Sequence, residues 1–321
     1  MKFIFEKLLT DEQRGVTVCV DGVFESKLQV SHWPGSNSPL EIAADTSTEM
    51  AFNLLESTNR DNLLQDIQFV SNNHFDSDGV LAAYVLCYPE KALHHKEMFI
   101  NIATTGDFSE FTNEEALKID SVISSIDNPE KTIFQGVFCN PDFKTLLQDI
   151  YIKTFNLLPS LLDNLDEYEE YWRENFLWYN NSEASFQNQT SVFSNYGDCS
   201  LSIIESPFPL HKISKFAHAE YDIVLSVIKN SEGYLYELEY KTHTWFKTSR
   251  PQNIQRRSFE PLAEKLNLIE NENKGTWKVL GRDPISEWDY RMQFSDKNFN
   301  LVPSKIKVYE IEEILFDYFF E

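Results

Sequence analysis

His74-Phe75-Asp76-Ser77-Asp78-Gly79 sets an imidazole and two carboxylates at alternate positions within five residues. In extended backbone alternate side chains leave on one side, so His74, Asp76 and Asp78 can converge on one point. That donor set binds a divalent cation. Imidazole with carboxylates suits manganese, iron, zinc or magnesium, whereas calcium takes oxygen alone. A calcium loop counted from Asp76 needs glycine sixth and glutamate twelfth, where the chain has Leu81 and Cys87. Gly79 allows a tight turn into a helix whose first N–H groups would face the same site and attract phosphate or another anion. The competing reading is a capping turn, with Asp78 capping the helix and His74 an ordinary surface residue.

Residues 16–21, 28–32 and 67–72 are short, β-branched-rich runs bounded by turn residues, as strands of a covered sheet are. Each ends in polar residues that can hold a ligand. Thr46 and Glu49 have capping-box spacing ahead of Ala51, Leu54 and Leu55, and residues 80–86 are apolar on nearly every face, which predicts a deeply packed helix. Strands alternating with helices give an α/β fold with a mainly parallel sheet, whose functional groups gather at the carboxyl ends of its strands. Residues 146–172 read as helix and 180–194, rich in Asn, Gln and Ser, as a loop. Beyond Cys199 the pattern turns to strands, clearest at 221–227 and 234–245 with a hairpin turn between, then helices near 260–266 and 310–320. The expected organisation is a metal-binding α/β domain with a helical extension over 1–180 and a smaller α+β domain over 195–321 that closes over the substrate.

Of 321 residues, 28 are Lys or Arg and 51 Asp or Glu, and the net charge of −23 argues against long nucleic acids and anionic membranes as partners. No apolar run approaches the roughly 18 residues of a membrane span, and the charged start does not read as a signal peptide, so a cytoplasmic location is expected. Cys19, Cys87, Cys139 and Cys199 are far apart without a Cys-x-x-Cys pair, which predicts buried free thiols. His94 and His95 are adjacent on an expected helix, so their side chains diverge by about 100° and suit exposed positions better than one shared ion.

Residues 74–83, His-Phe-Asp-Ser-Asp-Gly-Val-Leu-Ala-Ala, resemble the first motif of the DHH phosphoesterases, His-x-Asp-x-Asp-Gly before a small-residue helix. Asp21, ending a strand, is similar to that superfamily's second motif. Ser31-His32-Trp33 falls where Asp-His-His would stand and keeps only its first histidine. Thr46-Ser47-Thr48-Glu49 is similar to the helix start that follows it, and the surroundings of Asp107 resemble those of the last metal aspartate. These equivalents precede the first motif, so the resemblance implies a circular permutation, which a sheet tolerates because its site depends on which strand ends are adjacent. The whole chain also resembles an uncharacterised bacterial protein family. The DHH resemblance implies two manganese ions and hydrolysis of phosphoesters.

Four meeting carboxylates also demand cations, since each close pair costs on the order of 4 kcal/mol at an effective dielectric near 20. Asp21 would bridge two ions, His74 and Asp76 would hold one, and Asp78, His32 and Asp107 the other. Alternatively Asp21 and Asp107 are turn and cap residues. The chain's main basic cluster, Lys241, Lys247, Arg250, Arg256 and Arg257 with Trp245 and Phe246 interleaved, suits a phosphate or a base. The expected substrate contacts are Thr46, Ser47, Thr48, Trp33, Trp245, Arg250, Arg256 and Arg257. The expected function is metal-dependent hydrolysis of a small phosphoester or nucleotide, the alternative a catalytically silent protein that senses a nucleotide or metal.

Overall fold

Short runs of Val, Cys, Leu and Phe supply a four-stranded sheet near the amino terminus: β1 (Lys2–Phe3), β2 (Thr17–Val20), β3 (Leu28–Val30) and β4 (Phe69–Ser71). The computed structural model describes residues 1–251, 254–272 and 274–320. All strands of this sheet run parallel in the order β1-β4-β2-β3, with Val18 opposite both Val70 and Leu28. The carboxyl ends of β4, β2 and β3 therefore lie side by side, roughly 4.8 Å apart per strand. They lead into Asn72–Asp76, Asp21 and Ser31–His32 respectively. Both faces of a parallel sheet need covering. The Ser47–Glu56 and Ser77–Cys87 helices pack together, and Ser77 through Leu86 are all buried, as an all-round apolar helix requires. The Lys96–Phe108, Glu114–Ile126 and Phe143–Asp163 helices complete the core around Val18, Val70, Leu81, Phe99 and Tyr151.

The mixed α/β chain divides into two compact units, Met1–Leu177 with Phe246–Arg250, and Trp178–Trp245 with Pro251–Glu321. Residues 180–187 are not the expected loop. They belong to the Glu169–Gln187 helix, because the Ser182 and Ser185 hydroxyls donate to the Trp178 and Ser182 carbonyls and so cost the helix no buried unpaired group. In the second unit, β5 (Val192–Tyr196), β6 (Leu201–Ser206), β7 (Ile223–Lys229), β8 (Tyr234–Tyr240), β9 (Thr276–Leu280) and β10 (Arg291–Ser295) form a sheet ordered β5-β6-β7-β8-β10-β9. Only the β6–β7 pair is parallel, and its crossover carries the Lys212–His218 helix. Strand β8 ends at Tyr240, and residues 242–244 form a 3₁₀ turn instead of continuing it. The Glu260–Ile269 and Val308–Phe320 helices contribute Leu262, Leu266, Ile311 and Leu315 to this unit's core.

All four cysteines are free, but only Cys19 and Cys199 are buried; Cys139 is exposed. His94 and His95 sit in a 3₁₀ turn that interrupts the expected helix, with the His95 ring stacked on Phe99. No helix among the described residues is long and apolar enough to cross a membrane.

Candidate metal centre

Asp21, His32, His74, Asp76, Asp78 and Asp107 meet at the carboxyl ends of β2, β3 and β4. Two groups of donor atoms form, Asp21 with His32, Asp78 and Asp107, and Asp21 with His74 and Asp76, each with its atoms within 4.8 Å of one another. Asp21 belongs to both: its Oδ1 lies 3.4 Å from His32 Nε2 and its Oδ2 lies 3.2 Å from His74 Nε2. His32 Nε2 is also 3.1 Å from Asp107 Oδ2 and 3.5 Å from Asp78 Oδ2, and His74 Nε2 is 2.8 Å from Asp76 Oδ2. Donors about 2.1 Å from a shared ion stand about 3.0–3.4 Å apart in octahedral or tetrahedral geometry. The observed separations match the edges of such a polyhedron, so this buried cluster can hold a metal ion.

The two imidazoles are turned for that task. His32 Nδ1 contacts the Asp45 carbonyl at 2.5 Å and His74 Nδ1 contacts Asn73 Oδ1 at 2.9 Å. Each acceptor oxygen takes the proton on Nδ1, which leaves the Nε2 lone pair aimed at carboxylates. An unshared lone pair facing a carboxylate oxygen is repulsive unless a proton or a metal lies between. His32 Nε2, Asp21 Oδ2 and Asp107 Oδ2 are buried without a hydrogen-bond partner, three such atoms in one cluster. Without metal, protons take that place. Burial by itself would lower both histidines, but the carboxylates beside His32 and Asp76 beside His74 overcome it and raise each well above the ordinary imidazole value. Burial and then the Asp21 charge push Asp78 up to about 7, and burial and then Asp78 drive Asp107 upward too. Burial also acts upward on Asp21, yet the two flanking imidazoles hold it well below the usual carboxylate range.

Local structure fixes each of these side chains. Asp21 has φ 44°, left-handed backbone that Asp tolerates better than most residues, while its N–H still donates to Val30. Asp76, not Asp78, caps the Ser77–Cys87 helix: its Oδ1 accepts from the Gly79 amide, leaving Oδ2 for His74. Asp78 accepts the Ser47 and Thr48 amides, one on each oxygen at 2.7 Å, and Ser47 Oγ donates to Asp21 at 2.9 Å. The Ser47 helix start thus holds the protein's own Asp78 carboxylate. Thr46 caps that helix through the Glu49 amide. Asp107 lies inside the Lys96–Phe108 helix and not at its cap.

Trp33 is half-buried with its ring 4.9 Å from that of His74. Of the expected basic residues, Lys247 and Arg250 lie in the first unit and Lys241, Arg256 and Arg257 in the second, each with partners within its own unit. Arg250, in the first unit, binds Asp45 at 2.8 Å and pairs with Glu110. Arg256, in the second, is buried and donates to Thr244 Oγ1 and to the Glu287, Trp288 and Lys241 carbonyls. Arg257 is exposed and reaches the Tyr318 carbonyl, and the buried Trp245 indole donates to Ile285. Phe246, expected beside the basic residues, instead stacks its ring on His32 at 4.1 Å. Asn73 and Asp45 were not legible as site residues. Nor was Asp120, which accepts from Ser77 Oγ at 2.6 Å and is raised by burial to about 6. Asn73 adjoins the motif, and an amide beside a metal-type histidine was the one available signal.

A model described as a family of unknown function (DUF6687) matches residues 3–320. No curated protein and no solved structure matches the chain.

Proposed function

The chain belongs to the DUF6687 family, and we propose that it is a hydrolase of small phosphoesters or nucleotides working through two divalent ions, manganese by preference. The observation that carries this reading is the sharing of Asp21 between two donor groups. Four carboxylates carry −4, which two divalent ions neutralise. The histidines add borderline nitrogen donors that favour a transition-metal ion such as manganese over magnesium or calcium. Two divalent ions held there would supply activation of water and charge stabilisation for displacement at phosphorus. His74 and Asp76 would hold one ion, His32, Asp78 and Asp107 the other, and Asp21 both. The likeness of residues 74–83 to the first DHH motif supports the same chemistry. The net charge of −23 favours mono- or dinucleotides, whose few charges the ions can meet, over long polyanions.

One observation favours a second reading, a metal-binding protein without turnover. Helix-start amides that would hold a phosphate are already given to Asp76 and Asp78. Metal analysis of the purified protein, then a manganese-supplemented screen of small phosphomonoesters and phosphodiesters, separates the two. Two ions per chain with turnover that disappears in Asp76→Asn supports the hydrolase; two ions without turnover supports the binding protein, and no bound ion removes both.

A further inference from the structure

Five residues distant in sequence reach the metal centre. Residues 246–250 belong to the first unit although the chain on both sides of them belongs to the second. Phe246 lies flat on the His32 imidazole, ring centres 4.1 Å apart and 15° from parallel. The Lys247 amide donates to the His32 carbonyl at 2.7 Å. Ser249 donates to Asp45 Oδ1 from its amide at 2.7 Å and its hydroxyl at 2.6 Å, and Arg250 Nε donates to Asp45 Oδ2 at 2.8 Å. Asp45 is the residue whose carbonyl takes the His32 Nδ1 proton, so the strap holds His32 by its ring face, by its backbone and through the partner that sets its tautomer.

The strap also grips the neighbourhood of Asp107. Phe246 meets Phe108 edge-on at 5.5 Å, the Arg250 guanidinium sits 4.9 Å over the Phe108 ring, and Arg250 pairs with Glu110. His32 follows β3, and Asp107 lies at the end of the Lys96–Phe108 helix. Neither element contains the other's anchor. The strap touches both.

We infer that residues 246–250 position the ligands of one metal ion: through Phe246 and Arg250 they set the affinity of the ion held by His32, Asp78 and Asp107, and leave the ion held by His74 and Asp76 nearly untouched. This rests on the two-ion reading above. Partners that orient a ligating histidine typically govern metal affinity by about 10–100-fold, and an aromatic cover keeps water from the imidazole face. Phe246 and Arg250 are positioning residues, since they act through His32 and Asp107.

The test is Mn²⁺ titration calorimetry on the metal-stripped full-length protein in two backgrounds. Asp76→Asn leaves the His32-side ion, and Asp107→Asn leaves the His74-side ion. In the Asp76→Asn background, Phe246→Ala and Arg250→Ala should each weaken Mn²⁺ binding about 10–100-fold, and Phe246→Tyr, which keeps the ring, should stay within about twofold. In the Asp107→Asn background the same changes should alter affinity by less than about twofold, since the remaining ligands keep their own partners. The Arg250 side chain is 34% exposed, so its truncation is compatible with folding, and near-UV circular dichroism checks each variant. Equal weakening in both backgrounds, or none in the first, overturns the inference while leaving two-ion binding intact. A wild-type protein that binds no Mn²⁺ overturns both.

Discussion

A Cβ built on Gly79 would stand 2.1 Å from Asn72 Nδ2, so Asn72 must move before position 79 can carry a side chain. The same Cβ would lie 3.1 Å from Asp76 Oδ1 and 3.2 Å from Asp21 Oδ2. Gly79 is a matter of close approach, since its backbone has ordinary helical sign.

This separates two opposing effects. Within a helix Gly→Ala ordinarily gains about 1 kcal/mol, whereas overpacking a buried site costs about 1–3 kcal/mol. Gly79→Ala is expected to be destabilised and to lose metal, as thermal melting and metal analysis would show. A stabilised variant with full metal content contradicts the close packing.

Sharing of Asp21 makes stoichiometry informative. Asp21→Asn should lose both ions and Asp76→Asn only one, because the second group retains His32, Asp78 and Asp107. Native mass spectrometry with added Mn²⁺ reads this directly. Equal loss in the two variants would show that Asp21 does not bridge.

Metal-free protein should lose stability as pH rises from about 4 through 7. Asp78, raised to about 7, and Asp107, also raised, bind protons in the folded chain that the unfolded chain has already released above the ordinary carboxylate value. His32 and His74, raised as well, contribute stability fully present below the ordinary imidazole value and lost as pH climbs through the folded one. All four therefore push in the same direction, while Asp21, held low, is ionised in both states over this window. Manganese should reverse the slope, since it binds the deprotonated ligands and displaces protons. Melting temperatures of metal-free and loaded protein at pH 5 and pH 8 check it; parallel curves would contradict the coupling.

Arg256 is the reverse case, a cation whose partners are structural. Burial lowers it to about 10, and its donors hold carbonyls from two separate stretches of the second unit, Glu287–Trp288 and Lys241. Arg256→Ala should cost about 2–4 kcal/mol of stability, because those buried acceptors lose a charged donor. It should leave Mn²⁺ affinity unchanged. Denaturant unfolding alongside calorimetry decides between this and a ligand-binding role, which would instead leave stability intact.

Local chemistry was legible because it is written in adjacent residues. The close spacing of His74 and Asp76, the Thr46 cap, the β-branched runs before Asp21 and His32 and the uniformly apolar 80–86 segment each depend on neighbours within a few positions. Asp78, by contrast, lies in the helix and joins the other donor group instead of converging with His74 and Asp76 by alternation. These local patterns sufficed for a parallel α/β layer; the resemblance added Asp107, and the structure brings it together with Asp21, His32, His74, Asp76 and Asp78 in a cluster that can hold a metal ion. Tertiary structure decided the rest. The capping alternative in sequence placed Asp78 at the helix cap, but Asp76 caps it, and a pair of amides from Ser47 and Thr48, some thirty residues away, gives Asp78 its role. The basic residues 241–257 look like one cluster in a line of sequence, but the chain hands Lys247 and Arg250 to one unit and Arg256 and Arg257 to the other. No local signal marks Phe246 as the cover of His32, because a contact spanning more than two hundred residues is set by which surfaces pack together, not by the periodicity of either segment.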